Sequence, residues 1–291
     1  MGLTPGLGLH IRAGVELTKA ERLDELFWIS LGAKMLATAG IVLLAAKVIE
    51  RSDAFIGAMV ATLPVSAGPA YVFLAMEHDD AFIASASLVS LNINTGVSAF
   101  ITVYAFAAQR LGAVSSTVVA LACWLALGLA NSAWLPPLPV ALAVNFSAAL
   151  LAMLATRRLL VPGRSKPAAV AKWWDLPFRA ALVMALVAAV LIAARLAGPR
   201  AAGIGALTPV VLASLTLILH PRIGGPASAE VMINCLPGMI GIASALAVLH
   251  VAAVPLGSPL ALTLGLLTCI VWNSMLTIVR QRRATAKTAR A

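Results

Sequence analysis

The sequence predicts an all-α polytopic membrane protein with about nine transmembrane helices in two inverted repeats, the first repeat lacking one helix. Three observations predict this fold. Hydrophobic residues make up 61% of the 291 residues, charged residues only 11%, and the mean hydropathy is +0.98. Apolar stretches of about 20 residues, long enough to cross a bilayer as helix, recur between the charged positions. A segment that links two apolar stretches in the first half of the chain also has a similar counterpart in the second half.

Nine apolar spans can be placed along the chain. The alternating ten-residue segments that mark membrane barrels do not occur in the sequence, so the spans are predicted to be helices. Their ranges are 27–49, 54–76, 82–108, 113–132, 138–158, 175–197, 202–220, 227–251 and 257–279.

Lysines and arginines predict the orientation of these spans. Fifteen fall on the predicted face that holds residues 157–179 and the C-terminal tail, and five fall on the opposite face. The positive-inside rule therefore places the C-terminus in the cytoplasm and the N-terminus outside a cell inner (plasma) membrane. The net charge of +10 reflects this topology, so the expected partner is the lipid bilayer and not nucleic acid. The oligomeric state stays open, a homo-oligomer included.

Three pairs of segments suggest an internal repeat. AAKVIERSDAFIGA at 45–58 returns as AARLAGPRAAGIGA at 193–206, and GVSAF at 96–100 returns as GIASAL at 241–246. NSAW at 131–134 likewise matches NSML at 273–276. Chance likeness between Ala-rich helices is the alternative explanation. Because five spans separate each copy from its counterpart, an odd number, the second copy would be inverted, as in many secondary transporters.

The predicted repeats divide the chain into four parts. Residues 1–26 form an N-terminal tail that could hold an interfacial helix, and residues 281–291 form a basic cytoplasmic tail. The first repeat covers 27–134 with four helices. The second covers 138–280 with five helices and a basic cytoplasmic loop at 159–174.

Matching positions in the two repeats carry residues that could interrupt a helix. In span 3 the segment LNINTG contains Asn92, Asn94, Thr95 and Gly96, and in span 8 the segment NCLPG contains Asn234, Pro237 and Gly238. Interrupted helices 3 and 8 would offer free backbone groups to a substrate or ion. Packing between helices is the alternative role for the polar side chains and for a proline kink.

The arrangement resembles the bile-acid:sodium symporter family and related inverted-repeat secondary transporters. The resemblance covers most of the chain and rests on the number of spans, the outside N-terminus, the missing first helix and the paired interruptions, not on a residue motif. It implies a crossing of two broken helices beside a panel domain that moves relative to them. Few carboxylates lie within the spans, in contrast to the related antiporters, so the sequence does not favour proton antiport.

Other candidates lie outside the two interruptions. Glu230 near the start of span 8 could carry a coupling proton or ligate a cation, or could be an interfacial acid at a helix N-terminus. Lys34 could attract an anionic substrate or extend its amine to the outer interface. Ser66, Gly68 and Ser214 could line a cavity in the kinked span 2 and its counterpart.

The function expected from these features is secondary active transport of a small organic anion or an amino acid, coupled to Na⁺ or H⁺. No catalytic or nucleotide-binding motif occurs in the sequence, so no enzyme activity is expected. No cofactor or metal site is expected either, with Na⁺ as a candidate coupling ion, because the three cysteines lack paired spacing. A lipid-carrier flippase or lipid-acting membrane protein, and an accessory membrane subunit, are the alternatives.

Overall fold

The computed structural model describes residues 28–41, 67–132, 134–160 and 174–288, with Leu26 and Leu44 as isolated positions. Most of the described residues are helical, with no strand among them. The repeated segment at 45–58 and most of the predicted second span, 54–76, lie outside the described residues. The helices are α1 (Trp28–Ile41), α2 (Ala67–Glu77), α3 (Asp80–Ala107), α4 (Ala113–Ser132), α5 (Leu138–Thr156), a 3₁₀ turn (Arg157–Leu159), α6 (Asp175–Ala206), α7 (Val210–Ile223), α8 (Gly225–Ile233), α9 (Leu236–Leu256) and α10 (Ser258–Thr288).

Five helical segments are long and apolar enough to cross a membrane, which agrees with the predicted membrane protein. One of them, Asp175–Ile223, is 49 residues long, about twice the length that a single crossing needs. Its path bends at Gly198, where φ is 71°, and turns again at residues 207–209. The five segments are Asp80–Ala107, Leu138–Leu159, Asp175–Ile223, Gly225–Leu256 and Ser258–Val279.

Helix α3 lies at the centre of the described helices. Within its apolar window 78% of the residues are buried, against 17% in the window of Ser258–Val279. It packs against α4, α5, α6, α8 and α9. Small residues permit this close packing: a Cβ on Gly203 of α6 would lie 2.5 Å from the Ala86 carbonyl oxygen of α3.

Helix α3 runs antiparallel to the α8–α9 pair. Near its start the Ala84 carbonyl accepts a hydrogen bond from His250 Nδ1 at 2.8 Å. At its middle Asn94 Nδ2 donates to the Met239 carbonyl at 3.1 Å, and near its end Tyr104 Oη lies 2.8 Å from Ser228 Oγ. Position along α3 therefore increases as position along α8–α9 decreases.

The two predicted interruptions have different outcomes. The interruption of helix 3 at 91–96 is wrong, because α3 is a continuous α-helix through these residues. Its polar side chains find hydrogen-bond partners on neighbouring helices, so the backbone has no need to unwind. At the predicted interruption of helix 8, α8 ends at Ile233 and α9 begins at Leu236, and the two residues between them form a turn whose backbone angles stay right-handed helical. Pro237 lacks an N–H for the Ile233 carbonyl, so a continuous helix would miss one bond there.

Ion pairs join neighbouring helices near their ends. Lys34 of α1 is buried and pairs with Glu77 of α2. The Arg222 guanidinium of α7 donates two hydrogen bonds, of 2.5 and 2.6 Å, to the Asp175 carboxylate of α6. The Lys34 charge is thus satisfied within the helix bundle.

Candidate functional site

Two asparagines meet at the middle of α3. Asn94 Nδ2 donates to Asn145 Oδ1 of α5 at 3.0 Å and to the Met239 carbonyl of α9 at 3.1 Å. Asn145 Nδ2 in turn donates to the Leu91 carbonyl at 2.6 Å and to the Ala141 carbonyl at 3.1 Å. Both side chains are buried, Asn94 with 1% and Asn145 with 3% exposure. This central amide cluster, Asn94 and Asn145 with the Met239 carbonyl, joins three helices.

One atom of the central amide cluster is left over. Asn94 Oδ1 is buried and has no hydrogen-bond partner among the residues that the structure describes. An unpaired buried carbonyl costs about 1–3 kcal/mol, because water no longer satisfies it. Such an atom is an exception among buried polar groups and marks a place where a ligand could bind.

A second group of polar side chains lies between α3 and α4. Asn92 Nδ2 donates to the Asn131 carbonyl at 3.1 Å and to the Trp134 carbonyl at 2.8 Å. Asn131 Nδ2 donates to Thr95 Oγ1 at 3.1 Å, and the Thr95 hydroxyl donates to the Asn92 carbonyl at 2.8 Å. Asn92 and Thr95 thus tie the end of α4 to α3.

A glycine lies beneath a tryptophan ring in each half of the chain. A Cβ on Gly96 would lie 3.2 Å from Cδ1 of Trp124, and a Cβ on Gly241 would lie 2.6 Å from Cδ1 of Trp272. Trp272 Nε1 donates to the Pro237 carbonyl at 2.9 Å, whereas the buried Trp124 Nε1 has no partner in the described ranges. Both glycines let the next helix along the chain pack closely.

The other predicted residues of helix 8 lie on either side of the boundary between α8 and α9 or within it. Asn234 is exposed, and its Nδ2 donates to the Glu230 carbonyl of its own helix at 2.8 Å. Glu230 and Pro237 are partly buried, and a Cβ on Gly238 would lie 4.0 Å from Asn273 Oδ1. Met239, which follows Gly238, carries the carbonyl that Asn94 contacts, so the interruption adjoins the central amide cluster.

The candidates of span 2 and its counterpart are separate from this cluster. Ser66 lies outside the described residues. Gly68 begins the first turn of α2, and no described atom lies within 4 Å of where its Cβ would be. Ser214 is buried in α7, and its hydroxyl donates to the Val211 carbonyl one turn back at 2.8 Å.

Sequence reasoning missed Asn145 as a site residue. Its sequence signal is the single amide side chain among the mostly apolar residues of α5. In the structure Asn145 lies on the face of α5 that holds the buried residues Ala141, Ala149, Ala152 and Thr156. Asn131 stood out only through the NSAW match, and Trp124 carried no polar motif at all. Within the described part of the chain no group of three or more His, Cys, Asp or Glu could hold a metal ion.

The acidic segment at 77–80 serves local structure. Glu77 pairs with Lys34, Asp79 Oδ1 accepts the Phe82 N–H at the start of α3, and Asp80 accepts both the N–H and the hydroxyl of Ser258. These bonds fix the starts of α3 and α10 relative to each other.

Comparison with known proteins gives no family for this chain: no family model, no curated protein and no solved structure matches it.

Proposed function

We propose that the chain is a secondary active transporter that moves a small organic anion or an amino acid by alternating access, coupled to Na⁺ or H⁺. The observation that carries this proposal is the hydrogen bond from Asn94 to the Met239 carbonyl. These two residues are equivalent under the repeat that matches Gly96 with Gly241. Where two copies are related by a twofold axis, residues on the axis contact their own counterparts. The contact therefore supports two inverted repeats that cross near Asn94.

Contacts between helices support the same relation. If α2, α3 and α4 correspond to α7, α8–α9 and α10, each contact should have a partner contact with the repeats exchanged. Helix α3 packs on α4 and α9 packs on α10, while α2 contacts α10 and α4 contacts α7.

In this proposal the chain crosses a bacterial inner membrane nine times, with the N-terminus outside and the C-terminus in the cytoplasm. The segment Asp175–Ile223 supplies two crossings, since it bends at Gly198 and turns at residues 207–209. The crossing of α3 with α8–α9 would then be of the kind seen in the bile-acid:sodium symporter family, with only the second helix broken.

The central amide cluster is the proposed binding site. It lies at the middle of a helix that could span the bilayer, and it offers an acceptor with no partner among the described residues. Secondary transporters of inverted-repeat type bind substrate and coupling ion near the midplane, where the two repeats meet. The Asn94 carbonyl oxygen is a neutral acceptor that suits a polar group of the substrate.

Exchange of labelled solutes across proteoliposomes tests the proposal. Purified protein is reconstituted with an unlabelled organic acid or amino acid inside, and uptake of the same labelled compound is followed with and without Na⁺ and pH gradients. We expect counterflow with at least one compound, lost in Asn94→Leu and retained in Thr117→Val, which removes a hydroxyl pair between α4 and α7 instead. Lipid scrambling without any solute counterflow would contradict transport and favour the lipid-handling alternative.

A further inference from the structure

The free carbonyl of Asn94 determines which chemical group the proposed site can recognise. We infer that the site holds its substrate through an N–H or O–H donor of the substrate, so that amino acids and hydroxy acids bind and simple carboxylates of the same shape do not. This inference rests on the proposed function and narrows its substrate class.

The neighbours of Asn94 fix the direction of its amide. Asn145 Nδ2 gives its two hydrogens to the Leu91 and Ala141 carbonyls, so Asn145 Oδ1 must face Asn94. Asn94 Nδ2 then gives its two hydrogens to Asn145 Oδ1 and to the Met239 carbonyl. Rotating the Asn94 amide by half a turn would place its oxygen against two other oxygens. Four hydrogen bonds therefore hold Asn94 Oδ1 as an acceptor that no donor of the described residues contacts.

An acceptor fixed in this way is complementary to a donor. Because hydrocarbon supplies no water to pair with the carbonyl, a ligand that brings an N–H or O–H gains a hydrogen bond that the described residues do not make. A carboxylate without such a group would face the partial negative charge of Asn94 Oδ1. Sites built around a hydrogen bond reject analogues that lack the bonding group.

The charges of Lys34 and Arg222 do not reverse this preference. Lys34 and Arg222 already pair with Glu77 and Asp175, so their charges are not directed at the central amide cluster. A hard metal cation is held by several oxygens at once. Asn145 Oδ1 and the Met239 carbonyl, the oxygens that bond the Asn94 amide, already accept its hydrogens.

Matched ligand pairs test the inference by thermal unfolding of the purified full-length protein. The probes are L-alanine against propionate, L-leucine against 4-methylpentanoate and L-lactate against propionate, each with sodium chloride and with choline chloride. We expect the unfolding midpoint to rise with concentration for the amino or hydroxy member of at least one pair and not for its partner. Asn94→Leu should remove the difference within that pair, and Thr117→Val should keep it.

Several outcomes would overturn the inference. Equal stabilisation by both members of every pair, a difference that persists in Asn94→Leu, or no stabilisation by any probe would each contradict it. Stabilisation by Na⁺ alone that disappears in Asn94→Leu would assign the carbonyl to a cation instead. If Asn94→Leu does not fold, the pairs on the unmodified protein decide.

Counterflow with the same compounds separates this inference from the proposed function. Exchange of propionate or 4-methylpentanoate without exchange of their amino or hydroxy partners would leave the transporter and reject the donor requirement. Absence of exchange for every compound, together with absence of any thermal shift, would reject both.

Discussion

Several buried polar side chains of the described helices form hydrogen bonds to a neighbouring helix. The Tyr71 hydroxyl donates to Ser90 Oγ at 2.7 Å, and Ser90 Oγ donates to the Gly203 carbonyl at 2.7 Å, so three helices share one chain of bonds. Such bonds average well under 2 kcal/mol each in membranes. Their number, and the glycines that let backbones approach, give the bundle its specificity.

Glycine positions provide a matched test of close helix packing. Gly203→Ala should lower the free energy of unfolding by about 1–3 kcal/mol, because its Cβ would lie 2.5 Å from the Ala86 carbonyl oxygen and one helix must move. Gly68→Ala, with no described atom within 4 Å, should be neutral or slightly stabilising. Thermal unfolding in detergent compares the two. Equal destabilisation by both would contradict the close contact of α3 with α6.

The Lys34–Glu77 pair should show coupling in a double-mutant cycle. Lys34→Met leaves the Glu77 carboxylate without its cation and should cost about 1–3 kcal/mol, less than for fully buried pairs because the Glu77 side chain keeps 25% exposure. Lys34→Met combined with Glu77→Gln should regain most of that loss. Additive effects in chemical or thermal unfolding would mean that the two charges act independently.

At the scale of whole helices, the boundary between α8 and α9 could be predicted from the sequence, although its residues do not unwind. Pro237 removes an N–H wherever it stands, so the boundary between α8 and α9 follows from local covalent structure. Asn92 and Asn94 could unwind α3 or bridge it to other helices, and their partners lie 39 to 145 residues away. The sequence around Asn92 and Asn94 gives no information about partners so far away in the chain. For this reason the interruption of α3 was predicted wrongly and Asn145 was missed.

Replacing Pro237 should make the α8–α9 boundary more continuous. Pro237→Ala restores an N–H that can reach the Ile233 carbonyl, so the free energy of unfolding should rise by about 1–3 kcal/mol, and any counterflow should slow as the interruption straightens. Pro139→Ala serves as the control, because Pro139 has the same second position in α5 but follows the non-helical residues 134–137, so no preceding helix can continue through it. Thermal unfolding and counterflow measure both variants. An equal rise in the free energy of unfolding of both variants would show that Pro237 has no special effect at the α8–α9 boundary.

At the scale of the whole molecule, composition predicted an all-helical membrane protein, and the described residues agree with it. The length of the apolar stretches is enough for this prediction, because about 20 residues with almost no charge fit a membrane-spanning helix. The order in which helices pack around α3 could not be predicted, since Leu, Ala and Val fill the lipid-facing and the buried surfaces alike. The inverted repeat and the nine crossings stay predictions.

Reporter fusions test the predicted orientation. A green fluorescent protein joined after residue 291 should fluoresce in bacterial cells, and alkaline phosphatase joined there should be inactive, because the basic C-terminal tail is expected in the cytoplasm. The same reporters at the N-terminus should behave in the opposite way. An identical result at both ends would require an even number of crossings and would contradict the nine-span topology.

The bonds of Asn94 also set conditions on how the protein is made. Its two partners lie 51 and 145 positions later in the chain. A ribosome that synthesises from the N-terminus therefore delivers α3 long before α5 and α9 exist to pair with its amides. Until residue 239 has entered the bilayer, the Asn94 amide of α3 lacks the Met239 carbonyl, and α3 is less stable in lipid. Nascent chains stopped before α9 should therefore be degraded faster than those that contain it.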